Sequence, residues 1–586
     1  PHLKLGLQLK YCLFSLFIKR FVKNFINSIL RYNKMKLIEL SSIILILLIS
    51  FFVNFYFGHQ GLMPLDDLQN FNSGHRILKG DFPFRDYYSI TGPILDIWQS
   101  IVYKIFGLNW QSLIIHASLL NCIYSISVFI FLKRLNFTTV DSLFYSISSG
   151  ILMFPPTGNP TVEHNSLALS VISFFIFIIG LKEKKSYLLF FSVFIFITAF
   201  FIKQVPTAYF IIFCILIYFT KIFSPITKEN FIVLTLSSLI VFLFYIFYFL
   251  LNNVLLQDII NQYFIFASTL GENRFSNLNY SYIYDKISKI FFLLFLVAPS
   301  FYSSFFSKKF DNFFLIFGLS LIIIIYEIHS NNQPITFSLI PIFCALFYHF
   351  HTNKNFESKI IKYFFFIIIT YCFYRILRYE TFYILIYFLI LVTIFLRKRI
   401  SVRYCVLIYL FISTSLYFEK YVKIRAWDDL HKNEISQSFD ARIIDDKLKF
   451  LKWKTVYFDN TELEKKLILD TLEYLKSLNS NEKYILISDY QIYNLILDNK
   501  DFSPVKYWHL NATYPSKNHK FRKRFEIFFK KKIIKNNISQ IIIDNTAGFK
   551  SDEIKEFEWL YKCLYKKNIH ENKNLNIFHI KKGCLL

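Results

Sequence analysis

The stretch "LDDLQNFNSGHRILKGDFPFRDYYSITGP" runs from Leu65 to Pro93. It holds four Asp, two Arg, one His, one Lys and five Gly or Pro residues, in a chain that is 54% apolar and only 18% charged. Soluble domains carry about 25% charge. On its N-terminal side lies the apolar run Leu37–Phe57, long enough for one membrane crossing. On its C-terminal side, "PILDIWQSIVYKIF" (Pro93–Phe106) reads as an amphipathic interfacial helix, with Trp98 suited to the headgroup level. A second apolar run, Trp110–Leu132, follows. The stretch is therefore the first loop of a polytopic α-helical membrane protein.

The rest of the chain repeats this pattern. Apolar runs fall near Val140–Phe154 and Ser166–Leu181. Tyr187–Phe219 is too long for one span, and Lys203, Gln204 and Pro206 interrupt it, which predicts a tight helical hairpin. Further runs lie near Phe231–Leu251, Ile287–Phe306, Asn312–Ile328, Thr336–Phe350, Ile360–Ile376, Thr381–Leu396 and Tyr404–Phe418. The total is about thirteen spans. The 73 Phe residues reflect compositional bias rather than function.

Basic clusters give the orientation. Lys133/Arg134, Lys182/Lys184/Lys185, Lys221/Lys228, Lys308/Lys309, Lys354/Lys359/Lys362 and Arg397/Lys398/Arg399/Arg403 fall in alternate loops. With the N-terminus inside, these loops are cytoplasmic. The Leu65–Pro93 loop then faces outward, and an odd span count puts the tail outside too. Arg375 and Arg378, at the outer end of the eleventh span, are the main exceptions. The net charge of +26 is distributed in these clusters, and no nucleic-acid-binding motif accompanies it.

Three divisions follow. Residues 1–36 carry eight basic and no acidic residues; they form a basic interfacial segment, or lie upstream of a natural start at Met35. Residues 37–420 form the transmembrane part, with a large first outer loop over 58–109. Residues 421–586 form a C-terminal extracytoplasmic α/β domain. In it, "NTELEKKLILDTLEYLKSL" (Asn460–Leu478) and "FRKRFEIFFKKKIIKN" (Phe521–Asn536) have helical spacing, and "KYILIS" and "SQIIID" read as short buried strands. The eight Cys are scattered with no C-x-x-C pair; Cys563 and Cys584 are able to pair if the tail is exported.

Ionisable residues gather in the outward loops. The first loop has Asp66, Asp67, His75, Arg76, Asp81, Arg85 and Asp86. "PPTGNPTVEHNS" has Glu163 and His164, the loop after the seventh span has Asp258, Glu272 and Arg274, and "YEIHSNNQP" has Glu327 and His329. Lys203 is at the outer tip of the hairpin, and Arg375 at another span end. Taken singly, each is ordinarily a solvated or paired charge. Taken together, carboxylates and cations at one apolar boundary suit a lipid-phosphate-linked sugar: cations hold the phosphate, and a carboxylate takes the proton of an attacking hydroxyl.

At these residues the chain resembles the GT-C superfamily of integral-membrane glycosyltransferases. The nearest likeness is to bacterial relatives of the protein O-mannosyltransferase and lipid A aminoarabinose transferase group. Asp66-Asp67 follows the first span, where the superfamily places a catalytic Asp or an acidic pair. "GDFPFRDYYSITGP" (Gly80–Pro93) is similar to the family's "G-x-x-P-Y-R-D-F…G-P" segment, with Phe84 for Tyr and Tyr87 for Phe. The resemblance implies a general base at Asp66 or Asp67, with Asp66 preferred as nearer the membrane. Some members place a further functional acid in the second outer loop, where Glu163 stands; with it, the outward charges Lys203, His164, Arg85 and Arg375 are the candidate substrate contacts. Lys203 has two readings, a donor-phosphate ligand or a lysine snorkelling to the interface. Arg85 and Asp86 are better suited to fixing the loop than to chemistry. The resemblance leaves the cofactor open: some relatives use a divalent metal, for which Asp66, Glu163 and Glu327 are the available acids, and the mannosyltransferase-like branch generally does not.

The implied activity is transfer of a hexose or pentose, with inversion, from a polyprenyl-phosphate donor to a glycan, lipid or protein acceptor. The implied location is the outer face of a bacterial inner membrane. Two other classes compete. A lipid-linked sugar flippase or transporter predicts internal repeats and paired broken helices, and no repeat is evident. A surface-polysaccharide polymerase or ligase usually lacks the early acidic pair.

Overall fold

The computed structural model describes residues 37–155, 157–219, 227–269, 400–425, 438–478, 482–546, 551–566, 574–581 and 583–584. The basic segment 1–36 lies outside these residues. So do the five expected spans between Ile287 and Leu396, with Glu272, Arg274, Glu327, His329, Arg375 and Arg378.

The first helix, α1, covers Leu37–Phe57, the run read from the sequence. Its 21 residues reach about 32 Å, enough to cross the hydrocarbon. Leu37, Ile38, Ile44, Phe52 and Tyr56 point outward and are exposed, as suits lipid. Ser42, Ile46, Ser50 and Asn54, spaced by four, are buried against the bundle.

The chain then turns into α2 (Pro64–Leu78) and α3 (Ile94–Phe106), followed by α4 (Trp110–Arg134), α5 (Thr139–Leu152) and α6 (Val162–Glu183). Helix α2 was not legible from its residues. Asn70, Asn72, Ser73 and Gly74 are poor helix formers, but all four are buried and tertiary packing overrides their preference. Helix α6 is almost wholly buried and forms the centre of the bundle. A left-handed Lys184 closes it, and α7 (Ser186–Phe200) packs back along it, with Ser173 and Ser192 exchanging hydrogen bonds.

The expected break after α7 is present. Helix α8 (Gln204–Phe219) begins with an extended Val205, at φ −110° and ψ 129°, because Pro206 disfavours the helical region for the residue before it. Helix α9 (Lys228–Leu251) exposes Phe231, Leu239, Leu243 and Phe247. Among the described residues, α1, α4, α6 and α9 are long and apolar enough to cross a membrane. The last described bundle helix, α10 (Ile400–Tyr417), continues into π-helical turns over Phe418–Lys423.

Among the described residues, one end of the bundle brings together the Lys133/Arg134 and Lys182–Lys185 clusters. Lys133 pairs with Glu39 at 2.9 Å, Arg134 with Glu183 at 2.6 Å and Lys185 with Glu183 at 2.6 Å. The start of α1, the end of α4 and the α6–α7 turn therefore meet on one side, as alternate basic loops require. The first loop, residues 157–161 and the α7–α8 break lie at the other.

After residue 438 the structure is mixed. Strands β1 (Phe439–Asp440) and β2 (Lys452–Trp453) form a small ladder. Helix α11 (Thr461–Ser477) has Asn460 as its side-chain cap. Strands β3 (Tyr484–Ile487) and β4 (Gln540–Asp544) pair in parallel, with α12 (Arg522–Asn536) before β4. Strands β5 (Leu564–Lys566) and β6 (Leu575–Ile580) complete the sheet in the order β3-β4-β6-β5. This part is not a separate ball. Leu62, Leu68, Phe71 and Trp110 share one apolar cluster with Trp453, Ile468, Tyr490 and Tyr493. Backbone bonds reinforce the seam: Lys452 N–H donates to His59 O at 2.8 Å, and Gly61 N–H to Lys452 O at 2.9 Å.

Candidate functional site

Helix α2 begins at an extended Met63 with Pro64 in its first turn, where proline's missing donor is harmless. Asp66 and Asp67 follow, where the helix dipole favours negative charge. The two diverge at once. Asp67 is 0% exposed. Its carboxylate accepts from the Met63 N–H at 2.7 Å, which satisfies a free donor at the helix start, and from the Thr157 hydroxyl. Burial raises its carboxyl to about 6 against these hydrogen bonds. Arg425 stands beside it, donating to Phe57 O at 2.5 Å and Thr157 O at 2.8 Å. Burial lowers this guanidinium to about 10, and Asp67 opposes that shift.

Asp66 is exposed to solvent. Among the described residues, its carboxylate has one long side-chain contact, Gln69 Nε2 at 3.5 Å. Protein nevertheless surrounds the group on most sides. That enclosure pushes the carboxyl above its ordinary range, and the charges of His509 and Lys203 oppose it. Asp66 is therefore an accessible carboxylate in a recess, while Asp67 is a saturated structural one.

Lys203 reaches this recess from the α7–α8 break. It is buried and donates to Glu163 at the start of α6. The break itself is held against the first loop. Gly92 N–H donates to Ile202 O at 3.0 Å, and a Cβ on Gly92 would sit 1.7 Å from Phe201 O. Only glycine allows this approach. Tyr457 comes from the other side, within electrostatic reach of both Asp66 and Asp489.

The structure thus pairs Lys203 with Glu163 and puts Lys203 within electrostatic reach of Asp66. It does not bring in the other described candidates. His164 is fully buried in the bundle, its Nε2 2.7 Å from Asn121 Oδ1. Arg85 donates to Asp86 at 2.6 Å, Asn252 O at 2.7 Å and Gly80 O at 2.6 Å, none of them in the Asp66 recess. Among the described residues, no group of three or more His, Cys, Asp or Glu is placed to hold a metal ion. Glu163 already has Lys203 as its counter-ion, so the Asp66–Glu163 side does not fit a cation cage.

Most other charges of the first loop serve a different purpose. Arg76 is fully buried, bonded to Asp81 at 3.1 Å, to Ser503 O at 2.9 Å and to Val505 O at 3.0 Å, with Asp501 at 3.6 Å. Lys506 pairs with buried Asp96 at 2.7 Å. Burial alone would raise the Asp81 carboxyl, but Arg76, Lys532 and Lys500 outweigh it and hold it below the carboxylate range. These ties bring the 501–515 segment onto α2 and α3 and carry His509 to the recess. The sequence gives no sign of this, since a histidine more than 400 residues from Asp66 has no local signal.

No family model matches the chain, and no curated protein matches it. Solved structures are similar to it. One is the archaeal oligosaccharyltransferase AglB from Archaeoglobus fulgidus, in complex with an inhibitory peptide and a dolichol-phosphate. Its TM-score is 0.42 at 11% identity, over 86% of this chain and 69% of that one. Another is ArnT from Cupriavidus metallidurans bound to undecaprenyl phosphate, at TM-score 0.42 and 9% identity, over 92% of this chain and 98% of that one. The apo state of that ArnT gives 0.42 at 11% identity.

Proposed function

We propose that the chain is a membrane glycosyltransferase that moves a sugar from a polyprenyl-phosphate donor to an acceptor hydroxyl outside the membrane. The observation that carries this is the recess itself. An exposed carboxylate, Asp66, lies within electrostatic reach of a buried lysine, Lys203, at the bundle end opposite Lys133/Arg134 and the Lys182–Lys185 cluster.

The roles follow from chemistry. Lys203, steadied by Glu163, holds the phosphate of a donor whose tail lies in the bilayer. The acceptor oxygen attacks the anomeric carbon, a bond forms between them, and the bond to the phosphate oxygen breaks. The electron pair leaves on the lipid phosphate. Asp66 takes the proton of the acceptor hydroxyl, and its raised proton affinity suits that task. Single displacement inverts the anomeric centre. His509 and Tyr457 border the acceptor side. The Cys563–Cys584 disulfide supports an exported tail, since such bonds persist in oxidising compartments such as the bacterial periplasm.

Transfer from labelled polyprenyl-phosphate sugars, assayed in membranes, tests this reading. Asp66→Asn is expected to lose at least about 100-fold in rate, the usual contribution of a general base. Lys203→Met is expected to raise the donor KM. An Asp66→Asn protein that transfers sugar as fast as the parent overturns the proposal.

A further inference from the structure

Helix α12 presents two unlike faces. Phe525, Phe529 and Ile533 are buried beneath it. Lys523, Arg524, Ile527, Lys530, Lys531, Ile534 and Lys535 are all exposed. Their spacing of three, four and seven places five cations and two isoleucines along one stripe. Ile527 and Ile534 are 49% and 39% exposed, so the stripe is amphipathic rather than merely solvated.

Its neighbour explains the combination. Helix α9 ends at Leu251, and after a turn the chain runs through Leu256–Ile259 and π-helical Ile260–Phe266. Ile259, Tyr263 and Phe266 of this segment are buried, whereas Leu255, Leu256, Ile260, Phe264 and Ile265 are exposed. A lane of exposed apolar side chains at the end of a membrane-length helix belongs at the bilayer boundary. Helix α12 is tied to that lane. Arg524 donates to Asn261 Oδ1 at 2.7 Å, and Lys531 lies within electrostatic reach of Asp258. Phe525 and Phe528 pack on Tyr88 at 5.4 and 5.9 Å between ring centres.

We propose that the exposed face of α12, with the apolar lane of 255–265, rests on the membrane surface and binds the headgroups of anionic phospholipids. The lane enters the acyl boundary, the two isoleucines follow it, and the cations meet the lipid phosphates. Charge complementarity and continuity with the lane select this partner. A surface held only by solvation has no use for isoleucines in the same stripe. The contact holds the sheet, and with it the 501–515 segment, at a set height over the bilayer.

The test uses the full chain in nanodiscs of phosphatidylcholine alone or in an equimolar mixture with phosphatidylglycerol. Cysteine is placed at Ile527 or Ile534, and its reaction with a neutral, bulky maleimide is followed on its own peptide by mass spectrometry. The reaction is expected to be several-fold slower in the phosphatidylglycerol discs. Lys530→Glu with Lys531→Glu, both exposed, is expected to restore the fast rate. Equal rates in the two lipids overturn the proposal. So does protection by soluble polyglutamate in phosphatidylcholine discs with none from phosphatidylglycerol, which would mark an acidic protein partner.

Discussion

The bundle seam and the junction between first loop and tail both bury many polar groups, and they satisfy them by different means. Along the seam of α1 and α4 the partners are neutral. Ser50 bonds Ser125 at 3.0 Å, Asn54 bonds Ser118 at 3.1 Å, and Asn121 bonds Asn54 at 3.2 Å. At the junction they are ions: Arg76 with Asp81 and Asp501, and Lys506 with Asp96. Hydrocarbon gives an ion no solvent to fall back on, so a helix interface there uses small side chains, hydroxyls and amides. At the junction, water surrounds the partners before they dock, and charge fixes which surfaces meet. A buried pair adds little net stability, yet removing one member leaves an ion stranded.

The largest effect is therefore expected at the junction. Arg76→Met leaves Asp81 and Asp501 buried without their main cation. It should destabilise the docked state by about 3–5 kcal/mol. The tail should become open to limited proteolysis between residues 499 and 516, and sugar transfer should fall because His509 and Tyr457 leave the recess. High salt should not mimic the change in the parent, since a fully buried pair is weakly screened. A parent-like proteolysis pattern in Arg76→Met would remove the distinction between junction and seam.

The same contrast decides how much was legible in the sequence. The apolar runs located α1, α4, α6 and α9 within a few residues, because an apolar run of membrane length is written in composition whether the helix faces lipid or its neighbours. The break at Lys203 was legible because Pro206 acts locally. The junction was not. Arg76 meets Val505 and Lys506 meets Asp96 across more than 400 residues. In isolation, each of these charges reads as a solvated loop residue. The candidate site divides in the same way. Asp66, Glu163 and Lys203 were found as charges at span ends, whereas His164 and Arg85 share that sequence signature and have bundle and loop partners instead. Residue type and position alone do not say which way a side chain points.

Asp67 lies between the two regions and tests whether an ion is tolerated at the seam's edge. Its carboxyl is raised from 3.8 to about 6. The folded chain therefore holds a proton between those values that the unfolded chain has lost. Native stability accordingly falls as pH rises through that window, by up to about 3 kcal/mol for a shift of two units. Asp67→Asn is never charged and escapes that fall. Its melting temperature relative to the parent should climb as pH goes from 4 to 7, whatever its offset at pH 4. A gap that stays constant or shrinks with pH would mean that Asp67 is well solvated as an anion and belongs with the junction.

The smallest effect is expected inside the seam. Ser50→Ala removes one neutral hydrogen bond to Ser125 and adds no bulk. Hydrogen bonds of this kind in membrane bundles average about 0.6 kcal/mol, because the helices find other partners when apart. The loss should be near the limit of a melting measurement and independent of pH and salt. The geometry also predicts what will not be tolerated at the same spot. A Cβ built on Gly150 would lie 2.3 Å from Ser50 Oγ and 2.5 Å from Ser125 Oγ, so the helices meet here with no room to spare. Ser50→Leu should therefore cost far more than Ser50→Ala, by overpacking rather than by a lost bond. If the two variants destabilise equally, the hydroxyl and not the close approach holds the seam, and the contrast with the ionic junction narrows to one between strong and weak polar contacts.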